Sequence, residues 1–217
     1  VSKEAEVVLR AGLDALHLSL SDAQVEQLLD YQALIGKWNK VYNLTAVRDP
    51  AEMLTHHLLD SLATVAPLQK HLQGRGLSAA SLLDVGAGAG LPGVVLSICC
   101  PTLAVTCVDT VGKKAAFIKQ AALALGLVNL TGLHARVETI TQPFDVICSR
   151  AFASLADFTG WSQAALAPGG VWMALKGKHP AEELAMLQPN VAMFHVEPLA
   201  VPGLAAERCI IWLQKAS

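Results

Sequence analysis

Residues 82–93, Leu82-Leu83-Asp84-Val85-Gly86-Ala87-Gly88-Ala89-Gly90-Leu91-Pro92-Gly93, are the stretch with the most obvious capacity for chemistry. Glycines just past an apolar run let the backbone turn tightly and approach a ligand closely before a helix starts. The next apolar run ends about twenty residues on at Asp109, where a carboxylate can accept ribose hydroxyls. Together they imply a nucleoside cofactor at the C-terminal edge of parallel strands. Gly88-Ala89-Gly90-Leu91-Pro92-Gly93 also satisfies the dinucleotide pattern, so an NAD(P)-dependent oxidoreductase stands as an alternative. Asp84 argues against it. A carboxylate just ahead of the loop repels a pyrophosphate and attracts the ammonium and sulfonium charges of S-adenosyl-L-methionine.

Arg150 ends a later apolar run, in Ser149-Arg150-Ala151-Phe152. A guanidinium there can orient a substrate through paired hydrogen bonds, or pair with a nearby carboxylate. Phe152 can stack on a base or pack in the core. This loop lacks the Asn/Asp-Pro-Pro-aromatic pattern of exocyclic-amine methylation. Cys148, inside a strand, is a poor candidate for the nucleophile that cytosine C5 chemistry requires. Lys113, Lys114, Arg136 and Lys176 follow successive strands, with Lys178 and His179 beyond. All these loops should open on the cofactor edge, which makes the first four candidates for RNA contact. His56, His57 and Asp60 share a helix and read as a hydrogen-bonded face, with no metal expected. Asn43 and Thr45 either brace a helix junction or touch RNA.

The elements that position these residues follow from periodicity. Residues 1–67 read as helical. Ser21-Asp22-Ala23-Gln24 forms a capping box ahead of Val25, Leu28, Leu29, Ile35, Trp38 and Tyr42 at helical spacing, and Asp49-Pro50 opens a further helix. Gly74-Arg75-Gly76 reads as a linker, which divides a helical extension (1–75) from a catalytic domain (76–217). Strands are expected at Ser81–Val85, Ala104–Val108, Leu130–Leu133, Phe144–Ser149 and Val171–Leu175, with helices near Pro92–Cys100, Lys113–Leu125 and Leu155–Ala167. That alternation implies an α/β fold, a mostly parallel doubly wound sheet. Val191–Val196 and Arg208–Leu213 leave no room for a crossover helix, so the sheet should end in an antiparallel hairpin. This ending departs from a dinucleotide fold and suits the Rossmann-like class I methyltransferase sheet.

Composition sets the outer bounds. The 217 residues are 53% hydrophobic and 16% charged, enough for one well-packed core. The 16 basic and 18 acidic residues nearly balance, whereas proteins that grip naked RNA widely are usually basic. The cations must therefore gather on one face, or a partner must supply part of the surface. Five cysteines without a CxxC pair read as reduced core thiols. With no membrane-length apolar run and no signal pattern, a cytoplasmic location is expected.

The blocks Lys37-Trp38-Asn39-Lys40, Tyr42-Asn43-Leu44-Thr45, Val47-Arg48-Asp49-Pro50, His57-Leu58-Leu59-Asp60-Ser61, Gly112-Lys113-Lys114, Arg136-Val137-Glu138, Ser149–Ser154 and Leu175-Lys176-Gly177, with the glycine loop, run through nearly the whole chain. In this order they closely resemble the glucose-inhibited division protein B (RsmG) family of guanine-N7 methyltransferases of bacterial small-subunit ribosomal RNA. The resemblance implies S-adenosyl-L-methionine contacts from Gly86 and Leu91, with Gly88 in the same loop. It places the ribose on Asp109, the adenine beside Val137 and Glu138, and Arg150 at both cofactor and substrate. Ala89 and His56 depart from the residues common at those positions, which puts a role for His56 in doubt. A guanine N7 carries a lone pair and no proton, so no general base is expected. The partner is small-subunit rRNA, a subunit or an assembly intermediate, and the enzyme is expected to be a monomer. A non-catalytic nucleoside-binding assembly factor is a second alternative.

Overall fold

The computed structural model describes residues 3–216; Val1 and Ser2, included in the expected helical stretch, lie outside them. Helix α1 (Lys3–Ala15) leads to α2 (Asp22–Tyr42), whose start is the expected capping box. Gln24 N–H donates to Ser21 Oγ at 3.3 Å while Ser21 N–H donates to Gln24 Oε1 at 3.0 Å. Asn43 ends α2 in the left-handed region (φ 48°), where Asn is tolerated. The next helical stretch starts on Asp49, whose Oδ1 accepts from the backbone of Ala51 and Glu52. It comprises α3 (Pro50–Met53), a wide π turn at Leu54–Leu59 and α4 (Asp60–Leu62), and residues 57–65 are buried throughout. Single π turns are frequent where a helix carries functional side chains. Helix α5 (Val65–Gly74) extends past Pro67, because a proline in the first turn gives up no helical hydrogen bond.

The sheet then alternates with helices: β1 (Ala80–Val85), α6 (Gly93–Cys99), β2 (Leu103–Asp109), α7 (Gly112–Ala124), β3 (Leu130–His134), β4 (Phe144–Arg150), α8 (Leu155–Ser162) and β5 (Leu166–Lys176). A short α9 (Ala181–Ala185), β6 (Val191–Leu199) and β7 (Arg208–Lys215) complete it. The helix expected to reach Ala167 stops at Ser162. A 3₁₀ turn at Gln163–Ala165 follows, and Leu166 already pairs with Phe144. Strand order is β3-β2-β1-β4-β5-β7-β6, parallel from β3 to β5. The hairpin is antiparallel, with β7 inserted between β5 and β6. The fold is the α/β, mostly parallel, Rossmann-like class I methyltransferase sheet.

Side chains alternate across the strands. Leu82, Val146, Met173 and Ile210 face one cluster; Leu83, Ile147, Trp172 and Ile211 face the other. The first cluster is continuous with Leu9, Leu28, Ile35, Leu58 and Leu68 of the N-terminal helices, so these helices share the core of the sheet. The order of strands across the sheet reverses between the parallel neighbours β1 and β4, the switch point at which ligands sit in open α/β sheets. Among the described residues no helix is long and apolar enough to cross a membrane.

Candidate active site

Loop geometry at the end of β1 follows from its glycines. Gly86 has φ +66°, and a Cβ there would lie 2.5 Å from Phe152 Cδ2, so the close approach of ring and backbone requires glycine. The N–H groups of Gly86 and Ala87 donate to Val108 O, tying the loop to β2. Asp109, 6% exposed, accepts from Gly88 N–H through Oδ2 (2.9 Å) and from Val111 N–H through Oδ1 (2.8 Å), with Lys114 Nζ at 3.9 Å. Each carboxylate oxygen keeps a further lone pair for a hydroxyl donor. Asp84 lies beneath the loop with no exposed surface, where Oδ2 accepts Gly93 N–H at 2.9 Å and Oδ1 has no partner. Burial pushes its carboxyl up to about 7, against the lowering effect of the Gly93 N–H. On the far side of the loop, Tyr31 of α2 donates to Ala89 O at 2.5 Å.

A cavity of about 400 Å³ opens over this loop. Gly86, Asp109, Lys114, Arg136, Val137 and Glu138 line it together with Ala151, Phe152 and Trp161. Glu138 pairs with Arg136 at 2.9 Å, which lowers the Glu138 carboxyl. Asp84, Gly88 and Leu91 do not line it; Leu91 is buried and Gly88 reaches it through its bond to Asp109. Phe152 meets Trp161 and Phe158 edge-on at centroid distances of 5.7 and 6.4 Å, so it packs against α8 while also lining the cavity.

Arg150, expected at both cofactor and substrate, does not line the first cavity but lines a second one of about 410 Å³. Ala151 lines both, in the left-handed region at φ 52°, a conformation that costs about 1–3 kcal/mol in a non-glycine residue and clusters at functional sites. At the base of this second cavity Asp60 holds two guanidiniums. Arg150 Nη1 donates to Asp60 Oδ2 at 2.9 Å and to His56 O at 3.0 Å, while Arg208 Nε donates to Asp60 Oδ1 at 2.8 Å. His57 Nε2 sits 2.7 Å from Thr45 Oγ1, and burial lowers its pKa. Lys176, on the rim, pairs with Glu183 at 2.8 Å, and Lys113 is exposed at the start of α7. Asp60 is thus committed to arginines and His57 to Thr45. Cys148 is buried, and burial pushes its thiol well above its usual range.

Sequence reasoning did not single out Arg208 or Tyr31, and it treated Asp60 as part of a helix face. Their partners lie far along the chain, and no local pattern announces such pairs. The π turn that presents Asp60 has no sequence signature either.

Residues 24–211 match the family described as rRNA small subunit methyltransferase G. The chain belongs to that family. It is similar to the ribosomal RNA small subunit methyltransferase G of Polaromonas naphthalenivorans, with 73% identity covering 96% of this chain and 95% of that one. A second Polaromonas species has a protein of the same description at 75% identity, covering 95% and 92%. In fold it is similar to a SAM dependent methyltransferase from Aquifex aeolicus (TM-score 0.53, 17% identity, 77% of this chain and 99% of that one). Membership makes this chain an S-adenosyl-L-methionine-dependent methyltransferase. The residues fit that cofactor through a glycine loop too close-packed for side chains and a ribose-competent Asp109. Asp84, expected to meet its positive charges, is instead fully buried beneath the loop and braces it through Gly93 N–H.

Proposed function

We propose that the enzyme methylates N7 of a guanine in small-subunit ribosomal RNA, with the cofactor held over Gly86, Asp109, Val137 and Glu138 and the guanine in the cavity of Arg150. The observation that carries this reading is the meeting of the two cavities at Ala151. One is built for a nucleoside, and the other presents Arg150, Lys176 and Arg208 toward an anionic substrate. S-adenosyl-L-methionine supplies an electrophilic methyl group. The protein's own contribution is placement. Arg150, fixed through Nη1 by Asp60 and His56, keeps Nε and Nη2 for a guanine O6 or a phosphate. Guanine N7 attacks with its lone pair and loses no proton, so the step asks for no residue as proton acceptor. Rate then comes from orientation and fit to the transition state.

Near-neutral net charge, with several edge cations already paired, favours a ribosomal subunit or an assembly intermediate over naked RNA as the substrate. In this reading residues 1–75 are an extension packed on a methyltransferase domain of residues 76–217, working as a monomer in the cytoplasm. The test is incubation with radiolabelled S-adenosyl-L-methionine and small subunits lacking the modification, followed by mapping of the label. One labelled guanine N7 is expected. Label on another atom or another RNA would overturn the assignment.

A further inference from the structure

A groove of about 660 Å³ lies outside the two cavities described above. It runs along one face of α2, where Leu29, Ala33, Gly36, Lys37 and Lys40 recur at helical spacing, and Met53 and Arg48 close the other side. A Cβ built at Gly36 would meet nothing within 4 Å, so the small residues leave real space rather than a packed contact. At the floor, Gln32 is 8% exposed; its Nε2 donates to Pro50 O at 2.6 Å, and its Oε1 has no partner. A buried amide oxygen without a donor is costly, which makes this an acceptor awaiting an N–H or O–H. At the rim, Lys37, Lys40 and Arg48 are exposed and enter no ion pair among the described residues. Arg48 makes one hydrogen bond, from Nη2 to Asn43 Oδ1.

The groove shares no lining residue with the two site cavities and is linked to them through α2 and the segment that follows it. Helix α2 runs antiparallel to α7: Gln27 bonds Leu125 O at the end of α7, while Trp38 packs on Phe117 near its start. Lys37 and Lys40 therefore emerge at the end of α7 that begins beside Asp109. The segment after α2 reaches the second cavity directly, through the 2.7 Å contact of Thr45 with His57.

We propose that this groove binds a nucleotide of the RNA strand flanking the methylated guanine, with the base over Ala33 and Gly36, a base N–H on Gln32 Oε1, and phosphates on Lys37, Lys40 and Arg48. It rests on the RNA reading above and adds a second contact site to it. Three unpaired cations on one side of an apolar floor match a phosphodiester strand better than a peptide. An unstacked base also supplies both the flat face and the donor.

The test uses the full chain and a fluorescein-labelled single-stranded RNA of small-subunit ribosomal sequence. Two variants separate shape from charge: Gly36→Leu fills the groove with a stronger helix former, and Lys37→Glu/Lys40→Glu reverses the rim. Both should weaken RNA binding by at least tenfold, with the Kd for S-adenosyl-L-methionine and the melting temperature preserved. The logarithmic salt slope should shrink by about 1.4 for the lysine pair, following the loss of two phosphate contacts, and stay unchanged for Gly36→Leu. RNA affinity equal to wild type in Gly36→Leu would overturn the proposal, since the lysines would then act only as a diffuse field. Loss of binding to assembled subunits but not to free RNA would also overturn it, and would assign the groove to a ribosomal protein. These are binding readouts, so a failure of the wild-type enzyme to methylate subunits would remove the function while leaving the groove result separately legible.

Discussion

At the scale of single residues, Asp60 has the largest consequence. Removing it leaves two guanidiniums, 21% and 27% exposed, without their shared counter-charge. Breaking a fully buried pair costs about 3–5 kcal/mol, so partial exposure sets the cost of Asp60→Ala nearer about 2–3 kcal/mol. A melting scan should show a loss of roughly 4–12 °C for a chain of this size. Arg208→Ala should cost less, because Asp60 keeps Arg150; equal losses would show that the carboxylate does not hold both. Asp84 makes a pH prediction whose sign is fixed by its raised carboxyl, at about 7 in the fold. The folded state holds this proton more tightly than the unfolded chain, so the group's stabilising contribution is full below the ordinary carboxylate range. It is lost as pH rises through about 7. The stability of Asp84→Asn relative to wild type should therefore rise from pH 4 to near 7 and then level off. A difference independent of pH would mean that Asp84 is ionised throughout.

At the scale of elements, legibility in the sequence tracked the locality of the signal. The capping box, the Asp49 cap, the glycine loop and all seven strands rest on neighbours a few residues apart, and the structure has each of them. The α8 end was misplaced because Gln163-Ala164-Ala165-Leu166 continues a helical pattern, while pairing with β4 pulls Leu166 into a strand. The short α9 was not foreseen; Glu183 on it takes both Lys176 and the Leu155 N–H, contacts invisible to local spacing. Of the proposed site, the glycine loop and Asp109 follow from local spacing and Val137 and Glu138 from the family resemblance; Asp84, Gly88, Leu91 and Arg150, expected with them, do not line the cofactor cavity. The Asp60 clamp follows from neither. Two element-level tests follow. Ser21→Ala should cost about 1 kcal/mol through the lost cap of α2, measured by urea titration, with methyl transfer unchanged. Tyr31→Phe removes the hydrogen bond from α2 to Ala89 O of the glycine loop. The Kd for S-adenosyl-L-methionine, measured by calorimetry, should then rise several-fold; an unchanged Kd would make the bond purely architectural.

At the scale of the whole molecule, the charge pattern separates two kinds of cation. Arg136, Arg150 and Lys176 enter the site already paired with carboxylates, whereas Lys37, Lys40 and Arg48 do not. Salt should therefore act mainly on the KM for RNA and leave kcat nearly constant, a separation that steady-state rates at two ionic strengths would check. The placement of β7 carries a different kind of consequence. Its first residue, Arg208, reaches back 148 positions to Asp60, and the strand slots between β5 and β6 rather than adding to an edge. Such distant pairing is slow to form, because a long loop must close before any contact rewards it. Residues 208–215 bury Ile210, Ile211, Trp212 and Leu213 in the core, and Arg208 and Cys209 line the substrate cavity. The wall that faces the acceptor is therefore complete only once segments 148 positions apart have met, so a refolding experiment should restore cofactor binding before methyl transfer.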